Sequence, residues 1–347
     1  MRKIKKEIRI GDFVIGGNNP IRVQSMTKTD TRDVESTVNQ ILMLEDYGCE
    51  IIRVAVRDLE AASKIKDIKK SIHIPLVADV HFDPRIAIEA ILNGADKIRL
   101  NPSNINDKEW IKKIALLCKE RGIPIRVGAN LGSFKEKPKN LEEALVESVK
   151  KEVQILNSVG FENIVISAKT SDVLLTIKVN KMLSEIFEYP IHIGITEAGP
   201  LRDSLIKSGI GLGILLNEGI GDTLRVSITG DPVEEVIAGY NILKALGLRK
   251  HGLEIISCPT CGRAEVDIEK IVNKLNVDFA KVNKSIKVAV MGCVVNGPGE
   301  AKDADVGVAC GKNSGVLFKK GKIVRILDGN EIYDVLKKEI ESVINNN

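Results

Sequence analysis

Short β-branched runs alternate with longer amphipathic stretches along most of this chain. The runs fall at residues 21–27, 51–56, 75–80, 97–102, 124–130, 163–169, 191–196 and 223–229. Between them lie segments such as DVESTVNQILMLEDYG and NLEEALVESVKKEVQILNSVG, whose apolar residues recur at intervals of three and four, as on helices with one buried face. Strands this apolar are expected where both faces are covered, and eight strand-helix units before residue 250 match the usual size of a (β/α)8 TIM barrel. An open doubly wound sheet would more often show a glycine fingerprint after its first strand, and SMTKTDT supplies none. Residues 7–16, EIRIGDFVIG, read as a small hairpin ahead of the barrel. Gly209, Gly211 and Gly213 precede a strand instead of following one, so close helix packing is expected there, not a nucleotide loop.

After Gly247 the pattern breaks. LGLRKHGLE reads as a short basic linker, and the chain then restarts with cysteine-bearing segments, a helical stretch at 267–279, the strand-like KVAVM and a closing helix from Glu331. The expected organisation is a barrel over residues 1–247 and a small second α/β domain over residues 253–347.

Charge and composition narrow the function. With 51 Lys+Arg against 47 Asp+Glu, the net charge of +4 is too small to imply nucleic acid, so any anion recognition must be local. Aromatic residues make up only 3%, too few for the stacking platforms of single-strand binders. No uninterrupted apolar run reaches membrane-spanning length, and MRKIKKEIRI has no apolar core behind its basic residues. The expectation is a cytoplasmic protein whose six cysteines are reduced and serve metal or redox chemistry where they cluster.

The local anion site is visible as a repeat. Arg22, Arg53, Arg99, Arg126 and Arg225 occupy the same apolar context on five of the eight strands. A guanidinium on a buried parallel strand is costly unless an anion meets it, and neighbouring strands of a barrel bring such positions together. Separate ion pairs at the strand ends are the alternative. The shared anion, best a phosphate or diphosphate with its bidentate geometry, accounts for the repetition, with Arg22 its weakest member. Asp79 and His81 follow the third strand, Asn130 the fifth, Lys169 ends the sixth and Glu197 follows the seventh, all at the end where barrels carry their chemistry. Lys169 adds charge to the anion site; Glu197 is a candidate proton donor or a plain helix-start carboxylate. His73, His192 and His251 are assigned to structure.

The second domain holds Cys258-Pro-Thr-Cys261 and, thirty residues on, Cys293 in MGCVVNGPGE. Structural zinc would normally show a second knuckle, and it is missing. Three thiolates can instead hold three irons of a cubane cluster, leaving the fourth iron for a weaker ligand. Glu300, just behind Gly297-Pro298-Gly299, is preferred to Cys310 for that place, because a carboxylate is the more labile ligand. Cys49 and Cys118 sit in helical patterns and read as core thiols.

QSMTKTDT, IIRVAV, KIRLNP, RVGAN, GITEAG, GIGDTLRVS, SCPTCGR and MGCVVNGPGE, in that order, resemble the 4-hydroxy-3-methylbut-2-enyl diphosphate synthase family of the methylerythritol phosphate route to isoprenoids, in its two-domain bacterial form. The resemblance implies a barrel that binds 2-C-methyl-D-erythritol 2,4-cyclodiphosphate. It implies a 4Fe-4S cluster on Cys258, Cys261, Cys293 and Glu300 that delivers two electrons, opening the ring and expelling a hydroxyl as water, with flavodoxin or ferredoxin as donor. Arg53, Arg99, Arg126, Lys169 and Arg225, assisted by Asn130 and Ser227, would grip the cyclodiphosphate, and Glu197 would donate a proton. Two other classes are a phosphosugar or pterin-type barrel enzyme with structural zinc, and a non-catalytic metal-stabilised binding protein. An anaerobically purified iron-sulfur protein is brown; both rivals are colourless.

A head-to-tail homodimer is also expected. The last barrel helix delivers the chain to the end opposite the substrate, and the five-residue linker 248–252 spans about 17 Å when extended. A six-residue strand alone rises about 20 Å. The second domain is therefore better placed to cap a partner's barrel than its own, as the resemblance also implies.

Overall fold

The computed structural model describes residues 2–81, 83–100, 105, 107–130, 138–293, 299 and 302–345. The chain divides into two compact units, Met1–Arg249 and Lys250–Asn347.

The first unit opens with a hairpin, β1 (Ile8–Ile10) and β2 (Phe13–Ile15), and continues β3 (Arg22–Met26), α1 (Val34–Asp46), β4 (Ile51–Val56), α2 (Leu59–Lys69), β5 (Leu76–Val80), α3 (Pro84–Leu92), β6 (Lys97–Arg99), α4 (Lys108–Glu120), β7 (Ile125–Asn130), α5 (Leu141–Ser158), β8 (Ile164–Lys169), α6 (Val173–Ile186), β9 (His192–Ile193), α7 (Leu201–Asn217), β10 (Thr223–Leu224) and α8 (Pro232–Ala245). Strands β3 to β10 form a parallel sheet in which β3 pairs with both β4 and β10. The bridge Ile166↔Ile191 joins β8 to β9 and closes the circle as a TIM barrel. The expected runs at 191–196 and 223–229 yield ladders of only two residues each. Beyond them the backbones crowd: a Cβ on Gly194 would lie 2.6 Å from the Arg225 carbonyl oxygen.

Helix starts are written into the sequence. Asp33, Asp58, Asp83, Asp107, Asn140, Asp172 and Asp231 each cap a barrel helix through a side-chain oxygen. The exception is α7, which follows the Glu197 loop and starts after Pro200 without a side-chain cap. Outward-facing strand residues such as Ile52, Val54 and Ile98 pack against the helices. Inward-facing Ile51, Val77 and Val165 meet Ile8, Ile10 and Ile15 of the hairpin, which forms an apolar floor at the N-terminal end of the strands.

The second unit contains β11 (Leu253–Ser257), α9 (Ile268–Asp278), β12 (Ile286–Met291), β13 (Val306–Gly311), β14 (Ser314–Lys319), β15 (Lys322–Asp328) and α10 (Ile332–Asn345). Its sheet runs β11-β12-β13-β14-β15, with parallel pairing as far as β13 and antiparallel pairing after it. Helices α9 and α10 contribute to one buried core with Val288, Val308 and Leu317, while Ala289, Met291 and Phe318 form a separate cluster. The meander β13–β15 was not among the expected elements. Its turns, Lys312-Asn313 and Lys320-Gly321, are two-residue loops, with left-handed backbone at Asn313, Lys320 and Gly321.

Candidate functional site

In a parallel sheet, residues in register point to the same side. The register Asp79↔Arg99↔Arg126 therefore carries these three side chains into the barrel. Asn130 and Lys169 are likewise paired in register at the ends of β7 and β8. Asp79 lies between two arginines, 3.6 Å from Arg53 Nε and 3.6 Å from Arg99 Nε, and His81 stands 3.7 Å from the same carboxylate. Burial alone would raise the Asp79 carboxyl, but Arg53, the His81 hydrogen bond, Arg99 and Arg126 together hold it well below the ordinary range. Arg53 Nε also donates to Met26 Sδ at 3.0 Å, so the methionine of QSMTKTDT supports the ring. Arg225 is gripped by Glu235, a residue the sequence patterns did not single out.

Arg53, Arg99, Arg126, Lys169 and Arg225 thus meet two carboxylates in ion pairs among the described residues, Asp79 and Glu235, with the buried Glu152 in electrostatic reach of Arg99. Arg126 is almost completely buried, and its Nε and Nη1 have no hydrogen-bond partner among the described residues. Burial, then Arg53 and Arg99, pulls the Arg126 guanidinium well below its ordinary value. Burial followed by Arg126, Arg53, Arg225 and Arg99 does the same to Lys169. Room for the Lys169 side chain depends on Gly194, whose missing Cβ would come within 3.0 Å of the amine nitrogen. Ser227 is half-buried, and its carbonyl accepts a 2.7 Å hydrogen bond from Ser204 Oγ.

Arg22 does not belong to this group. Its Nη1 lies 2.6 Å from Glu50 Oε1 and its guanidinium stacks 4.4 Å from the Phe13 ring, against the hairpin that floors the barrel. Arg249 joins it there through Glu50 and the Ile21 carbonyl, so the chain leaves the barrel tethered to the end away from the ring. Of the histidines assigned to structure, His192 is buried inside the barrel against Thr223 Oγ1 at 2.8 Å and His73 bonds Glu45.

Glu197 is exposed and holds a left-handed backbone, φ 52°, unusual for a residue with a side chain. Its loop is pinned from both sides: the Thr196 amide donates to the Thr170 carbonyl, and Pro200 bridges to Thr229. Strain of this kind concentrates at functional loops.

In the second unit, β11 and β12 lie side by side and parallel, and both end at the thiols. Cys258 follows β11, Cys261 lies three residues on after Thr260 with φ 49°, and Cys293 stands two residues beyond β12. The Gly292 amide donates to Cys258 Sγ at 3.2 Å, and a Cβ on Gly292 would sit 3.2 Å from that sulfur. A backbone donor aimed at sulfur and a glycine that keeps it uncrowded suit thiolates holding a cluster. Among the described residues, no three His, Cys, Asp or Glu side chains are grouped to hold a single metal ion. In a cubane cluster each thiolate sits on a different iron. Glu300 lies outside the described residues. Cys310 packs in the helix-covered core with Val308 and Leu317, where burial pushes its thiol up to about 11, whereas Cys258 packs with Ala289 and Met291. Cys49 and Cys118 are buried core thiols, both pushed up to about 12 by burial.

Fold and site define a (β/α)8 barrel with a cation-rich mouth, followed by an α/β unit that presents three thiols at one end of its sheet. Residues 5–240 match the GcpE TIM-barrel domain and residues 254–342 the GcpE protein C-terminal domain, and the chain belongs to that family. A relative from Caldanaerobacter subterraneus subsp. tengcongensis, named 4-hydroxy-3-methylbut-2-en-1-yl diphosphate synthase (flavodoxin), is 58% identical, covering 99% of this chain and 98% of its own. One of the same name from Ruminiclostridium cellulolyticum is 52% identical over the same shares. Among solved structures, dihydropteroate synthase from Stenotrophomonas maltophilia matches 70% of this chain and 97% of its own with a TM-score of 0.55. At 14% identity that likeness is one of fold alone and lends no support to pterin chemistry.

Proposed function

We propose that this chain catalyses the reaction for which its relatives are named, the reductive ring opening and dehydroxylation of 2-C-methyl-D-erythritol 2,4-cyclodiphosphate to 4-hydroxy-3-methylbut-2-enyl diphosphate. Two electrons and two protons balance the step: the ring C–O bond to the diphosphate breaks, and a hydroxyl leaves as water. The observation that carries the reading is the excess of interior cations over carboxylates, which only a multiply charged anion relieves. Arg53, Arg99, Arg126, Lys169 and Arg225 bind the diphosphate, and Asn130 and Ser227 orient the remainder by hydrogen bonds. Glu197, strained and exposed, delivers a proton to the departing oxygen.

Cys258, Cys261, Cys293 and Glu300 are the residues that would hold a 4Fe-4S cluster, which supplies the two electrons singly. Flavodoxin, which appears in the relatives' names, is the proposed donor in preference to ferredoxin. No helix among the described residues is long and apolar enough to cross a membrane, and the proposed site of action is the cytoplasm. The proposed assembly is a head-to-tail homodimer in which the thiol-bearing unit of one chain serves the barrel of the other, as the short linker favours.

Anaerobic purification followed by turnover with reduced flavodoxin tests the proposal. A brown protein that converts the cyclodiphosphate, with Glu197→Gln binding substrate but turning over at least a hundredfold more slowly, is the expected result. A reconstituted protein that neither binds iron-sulfur nor consumes the cyclodiphosphate would sink it.

A further inference from the structure

Lys97 is fully buried, and among the described residues its amine has no hydrogen-bond partner. It pairs in register with Val77, a residue of the apolar floor, so it points into the barrel, two residues before Arg99 on the same strand. Apolar residues lie to one side of it and the guanidinia of Arg53 and Arg126 within electrostatic reach on the other. A buried ammonium there would have no acceptor and would face like charges. A lysine retained in such a place is better explained by what it does when the site is filled than by what it does when empty.

Charged groups face this part of the barrel from its strands, and Glu152 on α5 lies within electrostatic reach of Arg99 behind them. Arg53 comes from β4, Asp79 from β5, Arg99 from its own strand, Arg126 from β7, Lys169 from β8, His192 from β9 and Arg225, backed by Glu235, from the last barrel strand segment. Strand β3 offers Gln24, both of whose amide atoms lack a partner. Among the described residues Arg53 and Arg99 share Asp79, while Glu235 is committed to Arg225. Burial first, then Arg126 and Arg53, accordingly depresses the Lys97 amine well below its ordinary value.

We propose that Lys97 is a chargeable support for the anion site, a neutral amine when the barrel is empty that takes one proton from solvent as the diphosphate group binds. The step is R–NH2 plus H+ to R–NH3+, and the incoming negative charge is what makes it favourable. The inference rests on the cyclodiphosphate reading for the natural ligand, but the linkage holds for any diphosphate that enters the ring. Binding is then pH-dependent: affinity falls as pH rises, by about tenfold per unit for each proton taken up. Lys97 acts here as a positioning charge beneath the ligand.

The experiment is titration calorimetry of the full-length protein with the cyclodiphosphate and, separately, with inorganic diphosphate, each in buffers of different ionisation enthalpy. Wild type is expected to take up about one proton more than Lys97→Met, and its affinity advantage over the variant should shrink as pH rises. Comparing the two proteins cancels protons taken up by the ligand itself and by Lys169. Lys97→Gln serves as a second variant should the methionine pack badly, and the melting temperature of each variant reports folding. Equal proton uptake in wild type and variants overturns the proposal, as does the absence of uptake by wild type. Binding of inorganic diphosphate with the expected uptake, but no binding of the cyclodiphosphate, leaves the linkage standing and removes the substrate assignment alone.

Discussion

Glu235 holds Arg225 by two prongs, Oε2 to Nε at 3.0 Å and Oε1 to Nη2 at 2.9 Å, from a carboxylate with no solvent exposure. The same carboxylate accepts the Ile228 amide and the Ser25 hydroxyl, so it ties α8 to the first and last barrel strands while fixing the guanidinium plane. Removing one partner of a buried pair leaves the other uncompensated, at a cost of roughly 3–5 kcal/mol. Glu235→Ala should therefore lower the melting temperature markedly and weaken cyclodiphosphate binding as Arg225 loses its aim. A variant that melts with wild type in calorimetry would show the grip to be idle.

The four thiols of the second unit should divide three to one. Cys258→Ser, Cys261→Ser and Cys293→Ser should each abolish the brown colour and the activity, because a hydroxyl competes poorly with thiolate for iron. Cys310→Ser places a hydroxyl in an apolar core and should cost about 1–3 kcal/mol of stability while leaving the visible absorption intact. Loss of the absorption band in Cys310→Ser would move the fourth ligand from Glu300 to Cys310.

The barrel was legible because its signal is repeated: eight apolar runs, with Asp or Asn caps opening nearly every helix. The ring was legible for the same reason, but repetition misled at Arg22, which has the strand context of the others and sits against Phe13 at the opposite end. Position along a strand, and so which end of a barrel a side chain reaches, depends on register, which the pattern alone does not supply. Lys97 carried a readable clue, its two-residue offset from Arg99, whereas Glu235 carried none, since a glutamate in the first turn of a helix is ordinarily a solvated group. The meander β13–β15 escaped because β15 is almost wholly exposed and lacks the alternation of a half-buried strand.

Glu152 should make the barrel's stability fall with rising pH in a defined window. It is buried on α5, where Oε2 accepts the Gly128 amide at 2.9 Å and Oε1 has no partner. Burial, opposed by that hydrogen bond, pushes its carboxyl up from 4.5 to about 7. The folded state thus holds a proton that the unfolded chain releases. The stabilisation is complete below pH 4.5 and is lost as pH rises through about 7. At about 1.4 kcal/mol per unit, a rise from 4.5 to about 7 makes the loss on the order of 3–4 kcal/mol. Urea unfolding of wild type and Glu152→Gln between these limits checks it: the glutamine mimics the neutral acid at low pH and keeps its stability at high pH, so the difference between the two proteins should widen by that amount as pH rises. A constant difference across the window would mean Glu152 ionises normally.

The last prediction concerns which chain's thiols serve which barrel. Arg249, bonded to Glu50 and to the Ile21 carbonyl, fixes the end of the first unit to the side of the barrel away from the cation ring. The substrate, if held by that ring, lies at the other end of strands that each rise about 3.3 Å per residue. Only residues 250–252 separate Arg249 from β11, which is the ground for the proposal that sites are shared between chains. Subunits of Glu197→Gln and Cys293→Ser, each inactive alone, are to be mixed under conditions where dimers exchange. With shared sites, each heterodimer contains one site with both defects and one with neither, and random exchange makes about half of all dimers heterodimers. Activity should then return to roughly a quarter of the wild-type level per chain, as counting of intact sites requires. If every chain served itself, each site would retain one defect, and a mixture whose exchange had been verified by mass spectrometry would stay inactive.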